Sequence, residues 1–276
     1  MQKYLDIVNK IHASPYKLTI VSSGGGTNAI SALLEVAGAS NTILESHIPY
    51  SKESMDTFLN KKPDHYCSLD TCLNMAANAY KKSKEVDSES KTKHLLGIAI
   101  TANLATTYEK KGDHKFFIVI QAYNYTKYLE CFLDKGKRTR EEEEELITSC
   151  VISLLANSCG FEFNLPSIDE EIRINEVIAE KSWEKLFNDK VGFISNNISN
   201  PELIFPGSFN PLHEGHIKMK ELAEKKTGMH TTFEICARNA DKPPLTFYEI
   251  KRTIDQFQND ESWMLTSAGR FSEKAE

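Results

Sequence analysis

The chain has 276 residues, of which 40% are hydrophobic and 26% charged, and its formal net charge is −6. This composition is typical of a folded protein rather than a disordered or fibrous one, and the length favours two domains. The acidic balance gives no broad surface for nucleic acid, and no apolar run approaches the roughly 18 residues of a bilayer span, so we expect a cytoplasmic protein with neither a nucleic-acid nor a membrane partner.

Strands and helices are predicted to alternate in the first half of the chain. The predicted strands are residues 17–22, 94–100 and 116–123, and the predicted helices are residues 29–36, 72–83 and 140–157. Such alternation predicts an α/β sandwich. The polar stretch 82–93 is expected to be a loop. The glutamate run 141–145 opens the last helix, where the helix dipole favours acids, and a solvated helix face is the favoured interpretation over a metal or partner site.

A glycine-rich turn with the sequence SSGGGT follows the first predicted strand and precedes a helix. A turn in this position can expose a serine nucleophile or bind an anion through backbone N–H groups, and a plain connection is the equal alternative.

Further segments extend this pattern. Ala37-Gly38-Ala39-Ser40 followed by Pro49-Tyr50-Ser51, with later segments at 97–102 and 116–123, resembles the C-terminal domain of the CinA family, the nicotinamide-mononucleotide amidohydrolases, over roughly 16–159.

This resemblance implies that Ser23 is the nucleophile and Tyr50 the site tyrosine. The family's lysine is expected five residues after that tyrosine, where this chain has Met55, and a thioether cannot take a proton from serine. The side chain of Lys52, three residues before Met55, would project from a different side of a helix. We therefore expect no appreciable amide hydrolysis. A degenerate domain that binds nucleotide or forms a homo-oligomer is the favoured interpretation, and retained amidohydrolase activity is the alternative.

The second half of the chain has a predicted helix over 172–187 and a polar stretch at 195–201. The strands predicted after it are residues 202–205, 233–235 and 264–266, and the helices are residues 215–223 and 247–257. The predicted domains are accordingly 1–165, a helical linker over 166–200, and 201–276.

A break rich in glycine, serine and proline lies between the strand 202–205 and the helix that follows. A helix N-terminus at the carboxyl end of a strand is a ready anion site. His213 and His216, three residues apart in the first helical turn, would project toward one point and stabilise charge on a phosphoryl group. A surface pair of histidines, or a metal pair with distant carboxylates, is the alternative.

Residues 205–216 resemble the nucleotidyltransferases with the (H/T)xGH signature, most closely the nicotinate- or nicotinamide-mononucleotide adenylyltransferases and the cytidylyltransferase-like proteins. Residues 233–235 and the loop 239–245 are similar to later parts of that family. The resemblance implies that His213 and His216 are catalytic. It implies a binding turn formed by Gly207, Ser208, Phe209, Asn210 and Gly215. The implied reaction is adenylyl transfer from ATP with Mg²⁺ to a nicotinate or nicotinamide mononucleotide, with release of pyrophosphate.

The same family completes its triphosphate site with a Ser/Thr-rich motif ending in arginine, and the chain reaches Glu276 before such a motif. The expected fold is thus a CinA-like α/β sandwich followed by a partial Rossmann-like nucleotidyltransferase domain, slow or inactive, with an uncovered sheet edge near 264–266. Nucleotide and mononucleotide small molecules are the expected partners. A degenerate nucleotide-binding or scaffold protein is the rival hypothesis. The six cysteines are scattered without a CxxC pair, so no metal site is expected.

Overall fold

The structure is a computed structural model that describes residues 2–108, 110–188, 190–196, 201–238 and 242–267. The chain forms two compact units, 1–176 and 177–276. Each unit has its own sheet, and helices alternate with the strands of both sheets. The predicted α/β class is confirmed.

The first unit is built on a six-stranded sheet in the order β2-β1-β3-β4-β5-β6. Its strands are β1 (Lys17–Ser23), β2 (Ile43–His47), β3 (Leu95–Asn103), β4 (His114–Ala122), β5 (Tyr125–Leu133) and β6 (Ile172–Ile178), at whose end the chain passes into the second unit. Strand β1 is parallel to β2 and β3, whereas β3, β4 and β5 are successively antiparallel. Its helices are α1 (Leu5–His12), α2 (Thr27–Leu34), α3 (Lys52–Leu59), α4 (Leu69–Val86) and α5 (Arg140–Ser158), with short 3-10 turns at Gln2–Tyr4, Ala39–Asn41 and Thr92–His94.

Helices cover both faces of this sheet because its central strands are apolar on both sides. Leu96, Ile98 and Ile100 of β3 belong to the buried core that includes α1, α2 and α5. Gly97 points the other way, and a Cβ there would lie 2.2 Å from the backbone nitrogen of Tyr80 in α4. Glycine at this position therefore lets α4 approach the sheet closely.

The second unit has a four-stranded sheet in the order β7-β10-β9-β8. Its strands are β7 (Phe193–Ser195), β8 (Leu203–Pro206), β9 (Thr231–Cys236) and β10 (Trp263–Thr266), and its helices are α6 (Lys181–Phe187), α7 (Glu214–Thr227) and α8 (Phe247–Ile254). Strands β8, β9 and β10 are parallel, and α7 and α8 connect them in turn. Phe209, Phe233, Phe247 and Leu265 are buried in its core.

Three expectations about the elements are wrong. The helix predicted over 172–187 is a strand, β6, followed by the short helix α6, so the predicted helical linker also contains strands. The predicted uncovered edge near 264–266 is covered, because β7 pairs antiparallel with β10. The predicted loop 82–93 begins with the last turn of α4. Residues 239–241 of the predicted family loop and 197–200 of the polar stretch lie outside the described residues.

Candidate functional site

The turn between β8 and α7 is held from beneath by a buried aromatic ring. Phe209 has a left-handed backbone, with φ of 43°, and is 1% exposed. Its ring packs edge-on against Phe205 and Phe233, with centroids 5.7 and 5.1 Å away. A Cβ on Gly207 would lie 2.5 Å from the ring carbon Cζ of Phe209. Glycine is therefore required where the backbone crosses this ring.

The side chain of Gln256, just beyond the end of α8, hydrogen-bonds to the backbone of this turn. Its side-chain oxygen accepts a hydrogen bond from the backbone N–H of Leu212 at 2.8 Å, and its side-chain nitrogen donates to the carbonyl of Phe209 at 2.9 Å. The backbone N–H of Gly207 donates to the carbonyl of Glu234 at 3.1 Å. Sequence analysis missed Gln256, and it lies 44 residues from its nearer partner. No local pattern marks such a contact.

His213 and His216 cap the start of α7 reciprocally. Nδ1 of His213 accepts from the backbone N–H of Gly215 at 3.1 Å, and Nδ1 of His216 accepts from the backbone N–H of His213 at 3.3 Å. The rings stack with centroids 3.7 Å apart and planes 21° from parallel. Because each Nδ1 is an acceptor, each neutral ring carries its proton on Nε2. Within the described part of the chain, neither Nε2 has a hydrogen-bond partner.

The pKa of His216 favours this arrangement. Partial burial, followed by the proximity of His213, lowers the pKa of His216 below its usual value. A neutral His216 keeps Nδ1 as the acceptor that the cap needs. The arrangement therefore holds two N–H donors at the start of a helix without placing two imidazolium charges in contact.

The residues predicted for this site lie together in one turn, but they differ in exposure and in which of their donors are already hydrogen-bonded. Ser208 and Asn210 are exposed, whereas the Phe209 side chain lies in the core. The backbone N–H of Gly215 is occupied by His213, so it is not a free anion donor in this structure. The Nε2 groups of the two histidines are donors for which no described residue is a hydrogen-bond partner. Assignment of these residues to ligand binding or catalysis stays a prediction.

At the glycine-rich turn of the first unit, Ser23 and the segment of Tyr50 lie together, but a general base does not join them. The Ser23 hydroxyl donates to the carbonyl of Pro49 at 3.0 Å, and Tyr50 is 67% exposed. Met55 is 1% exposed, so the position matched to the family's lysine lies inside the core. The Lys52 ammonium lies 5.8 Å from the centre of the Tyr66 ring. Among the residues that the structure describes, none is placed as a general base on the Ser23 hydroxyl, whose hydrogen bond goes to a backbone carbonyl.

Three glutamates of α5 accept hydrogen bonds from other segments of the first unit, and one of these bonds occupies a backbone N–H of the glycine-rich turn. The backbone N–H of Gly26, at the start of α2, donates to Oε2 of Glu144 at 2.6 Å. Glu143 is fully buried and accepts from the backbone N–H of Ala105 at 2.6 Å, and Glu145 accepts from the hydroxyl of Tyr4 at 2.7 Å. The interpretation of the glutamate run as a solvated helix face is therefore wrong for Glu143 and Glu144, whose side chains are 0% and 12% exposed, whereas it holds for Glu145, which is 52% exposed.

Across the described ranges, no three side chains of the His, Cys, Asp and Glu types are grouped as they would be around a metal ion. None of the helices described is both long and apolar enough to cross a bilayer.

Solved structures of the CinA superfamily are similar to the chain. A competence-damaged protein (CinA) superfamily protein from Klebsiella pneumoniae is 14% identical, covers 57% of this chain and 96% of that chain, and has a TM-score of 0.46. One from Escherichia coli is 12% identical, covers 56% and 84%, and has a TM-score of 0.42. The competence/damage inducible protein CihA from Agrobacterium tumefaciens is 17% identical, covers 56% and 90%, and has a TM-score of 0.39.

No protein-family model matches the sequence, and no curated protein is a significant match. Structural similarity at these identities and TM-scores carries no inference about activity. Function has to be inferred from the residues of the chain itself, and the nucleotidyltransferase resemblance of the second unit stays a prediction.

Proposed function

We propose that the second unit binds the phosphates of a nucleoside triphosphate at the β8–α7 turn, through the Nε2–H groups of His213 and His216. The observation that carries this proposal is the use of both Nδ1 atoms by backbone N–H groups. That use leaves two Nε2 donors on stacked rings, whose orientation is set by the helix cap. Donors held in advance in this way stabilise phosphate charge without reorganisation.

The finer proposal is adenylyl transfer from ATP to a nicotinate or nicotinamide mononucleotide, with release of pyrophosphate. It follows from the nucleotidyltransferase resemblance of residues 205–216. In this reaction the acceptor's phosphate oxygen attacks the α-phosphorus of ATP, and the bond to the bridging oxygen of pyrophosphate breaks. The two histidines would donate hydrogen bonds to phosphate oxygens that gain charge in the transition state. Mg²⁺ would be carried by the phosphates of ATP and would neutralise part of their charge.

A non-catalytic nucleotide-binding or scaffold protein is the rival from another class. The cap supports it too, because His213 and His216 would stabilise α7 even if no ligand were bound. The amidohydrolase alternative has weaker support, since Ser23 donates to a backbone carbonyl and Met55 is buried. Formation of a homo-oligomer through the first unit stays a prediction.

Calorimetric titration of the full chain with ATP and Mg²⁺ tests the binding step. We expect His216→Asn to weaken binding about tenfold or more, because one hydrogen bond to a charged oxygen contributes about 1.5–3 kcal/mol. The control is His65→Ala, which removes an exposed histidine of the first unit. Equal affinity of wild type and His216→Asn would refute the site.

Turnover is measured by a coupled pyrophosphate assay with ATP and nicotinate mononucleotide. Pyrophosphate release that His216→Asn abolishes would support adenylyl transfer. If ATP binds at this turn but no pyrophosphate is released with either nicotinate or nicotinamide mononucleotide as the acceptor, the hypothesis of a non-catalytic nucleotide-binding or scaffold protein is favoured.

A further inference from the structure

Three polar side chains of the second unit form a connected row at the amino ends of β9 and β10. The hydroxyl oxygen of Ser262, directly before β10, lies 3.0 Å from Nε2 of His230, directly before β9. Nδ1 of the same ring lies 3.3 Å from Oε1 of Glu224, in the last turn of α7. A hydroxyl, an imidazole and a carboxylate in this order are the groups that activate a serine as a nucleophile.

The contacts of Glu224 decide which nitrogen of the imidazole carries the proton. Its Oε1 accepts from the backbone N–H of Thr231 at 2.8 Å, and its Oε2 lies 3.6 Å from the Lys220 ammonium. These are the contacts of a carboxylate, which only accepts hydrogen bonds. Nδ1 of His230 faces this carboxylate and therefore carries the proton of the neutral ring. Nε2 is then the acceptor for the Ser262 hydroxyl.

Hydrogen bonds between distant segments fix the backbone on both sides of the row. The backbone N–H of His230 donates to Oε2 of Glu202 at 3.1 Å. The backbone N–H of Phe233, in β9, donates to the carbonyl of Ser262 at 2.9 Å. The hydroxyl and the imidazole are therefore held on neighbouring strands before any ligand binds, and such groups need little reorganisation during a reaction.

The row is open to solvent on the side of the imidazole. The His230 side chain is 47% exposed, whereas Ser262 is 4% exposed. Apart from His230, no described residue hydrogen-bonds to the Ser262 hydroxyl. A hydroxyl with this exposure admits a small acyl group and not a bulky one.

We propose that Ser262 is a nucleophile that cleaves small esters, with His230 as its general base and Glu224 as the residue that positions the imidazole. The Ser262 oxygen bonds to the carbonyl carbon of the ester while its proton passes to Nε2 of His230. The bond from that carbon to the alkoxy oxygen breaks, and the departing alcohol takes the proton from Nε2. Water then attacks the acyl-serine in the same way, which releases a carboxylic acid and restores the serine.

This site does not depend on the proposed function of the β8–α7 turn. His213 caps the start of α7, whereas Glu224 lies in the last turn of the same helix. The two sites can therefore be tested separately in the full chain.

The first test is covalent labelling of the full chain with a fluorophosphonate, a reagent that bonds to serines activated by a base. We expect mass spectrometry of the digested chain to find the label on Ser262, and His230→Gln to prevent it. Ser182 is the matched control and should stay unlabelled, because its hydroxyl donates to the carboxylate of Glu180, at 3.3 Å, and not to an imidazole. An unlabelled Ser262, or label on Ser23 or Ser182 instead, would overturn the proposal.

The second test is the burst of nitrophenolate that acylation by p-nitrophenyl acetate releases. We expect the burst to be absent from Ser262→Ala and about a hundredfold slower in His230→Gln, because a positioned general base contributes about 10²–10⁴-fold. Ser182→Ala should leave it unchanged. Free imidazole hydrolyses this ester without a burst from serine, so a burst that persists in Ser262→Ala would refute the nucleophile.

The third test separates the positioning role of Glu224 from a structural one. Glu224→Gln keeps an oxygen that accepts from the Thr231 N–H but removes the charge that stabilises the imidazolium. We therefore expect an unchanged melting temperature and a burst slower by about tenfold or more. In the wild type, a long-range ¹H–¹⁵N spectrum assigned with His230→Gln should show the ring proton on Nδ1. A proton on Nε2, or an unchanged burst in Glu224→Gln, would contradict the proposed roles.

Discussion

Replacement of His216 separates two roles of one imidazole, the helix cap and the phosphate donor. His216→Ala removes the acceptor for the backbone N–H of His213, and this N–H lies at the exposed start of α7. Loss of a side-chain cap typically costs about 1 kcal/mol. His216→Asn places an amide oxygen near the position of Nδ1 and provides nothing at the position of Nε2. We therefore expect the asparagine variant to keep most of the stability that alanine loses, and to bind ATP as poorly as alanine does.

The two tryptophans of the chain make the second unit easy to follow. Trp183 and Trp263 both belong to that unit, and Trp183 is 4% exposed. Urea unfolding monitored by tryptophan fluorescence therefore reports on the second unit. A loss of about 1 kcal/mol corresponds to a fall in melting temperature of about 4–8 °C for a unit of this size. Unchanged unfolding of His216→Ala would show that the cap contributes nothing, and full stability loss in His216→Asn would show that the amide does not replace Nδ1.

The lowered pKa of His216 predicts the direction of the pH dependence. Because its folded-state pKa is below the unfolded value, the unfolded chain binds the proton more readily as the medium becomes acidic. The stabilisation is present above the unfolded pKa, near 6.5, and is lost as pH falls through the folded pKa. Protonated Nδ1 cannot accept the His213 N–H. His216→Asn should make the stability of the second unit depend less on pH in this range. A pH dependence of stability identical to that of the wild type would show that His216 is not the group responsible.

Two further substitutions test contacts around the two turns. Gly207→Ala should destabilise the second unit by about 1–3 kcal/mol, because its Cβ would overlap the aromatic ring buried under the turn. Gly192→Ala, with nothing within 4 Å, should have little effect in the same fluorescence assay, and similar losses in both variants would refute the overlap. Glu144→Ala should remove the acceptor of the Gly26 N–H and lower the stability of the first unit by about 1–2 kcal/mol, seen by circular dichroism and by faster hydrogen exchange at Gly26. The exposed Glu141→Ala is the matched control, and unaltered exchange in Glu144→Ala would contradict this role.

Elements with strong local patterns were predictable from the sequence. The β-branched and aromatic run predicted as a strand over 116–123 is β4, His114–Ala122, whose positions are almost all buried. The helix predicted over 140–157 is α5, Arg140–Ser158, which starts with a capping box formed by Thr139 and Glu142. In both elements the local preference and the tertiary burial agree, so the sequence pattern is sufficient.

Elements with weak local patterns were not predictable. Strand β6 is mostly exposed along its length and so lacks the alternation of a half-buried strand. Its strand conformation depends on its place beside β5 at the edge of the sheet. Strand β7 has only three residues, and its antiparallel pairing with β10 joins segments about 70 residues apart. Such a contact leaves no local periodicity in either segment.

The candidate sites divide in the same way. The sequence alone identified the β8–α7 turn with His213 and His216, because the residue types and spacing that a phosphate-binding helix start needs are all contiguous. Only the tertiary structure decided that Nδ1 of each ring is used by the cap, that Gln256 holds the turn, and that Met55 lies in the core. Only it placed Ser262 beside His230, because hydrogen bonds between distant segments depend on how helices and strands pack and not on the residues beside them in the chain.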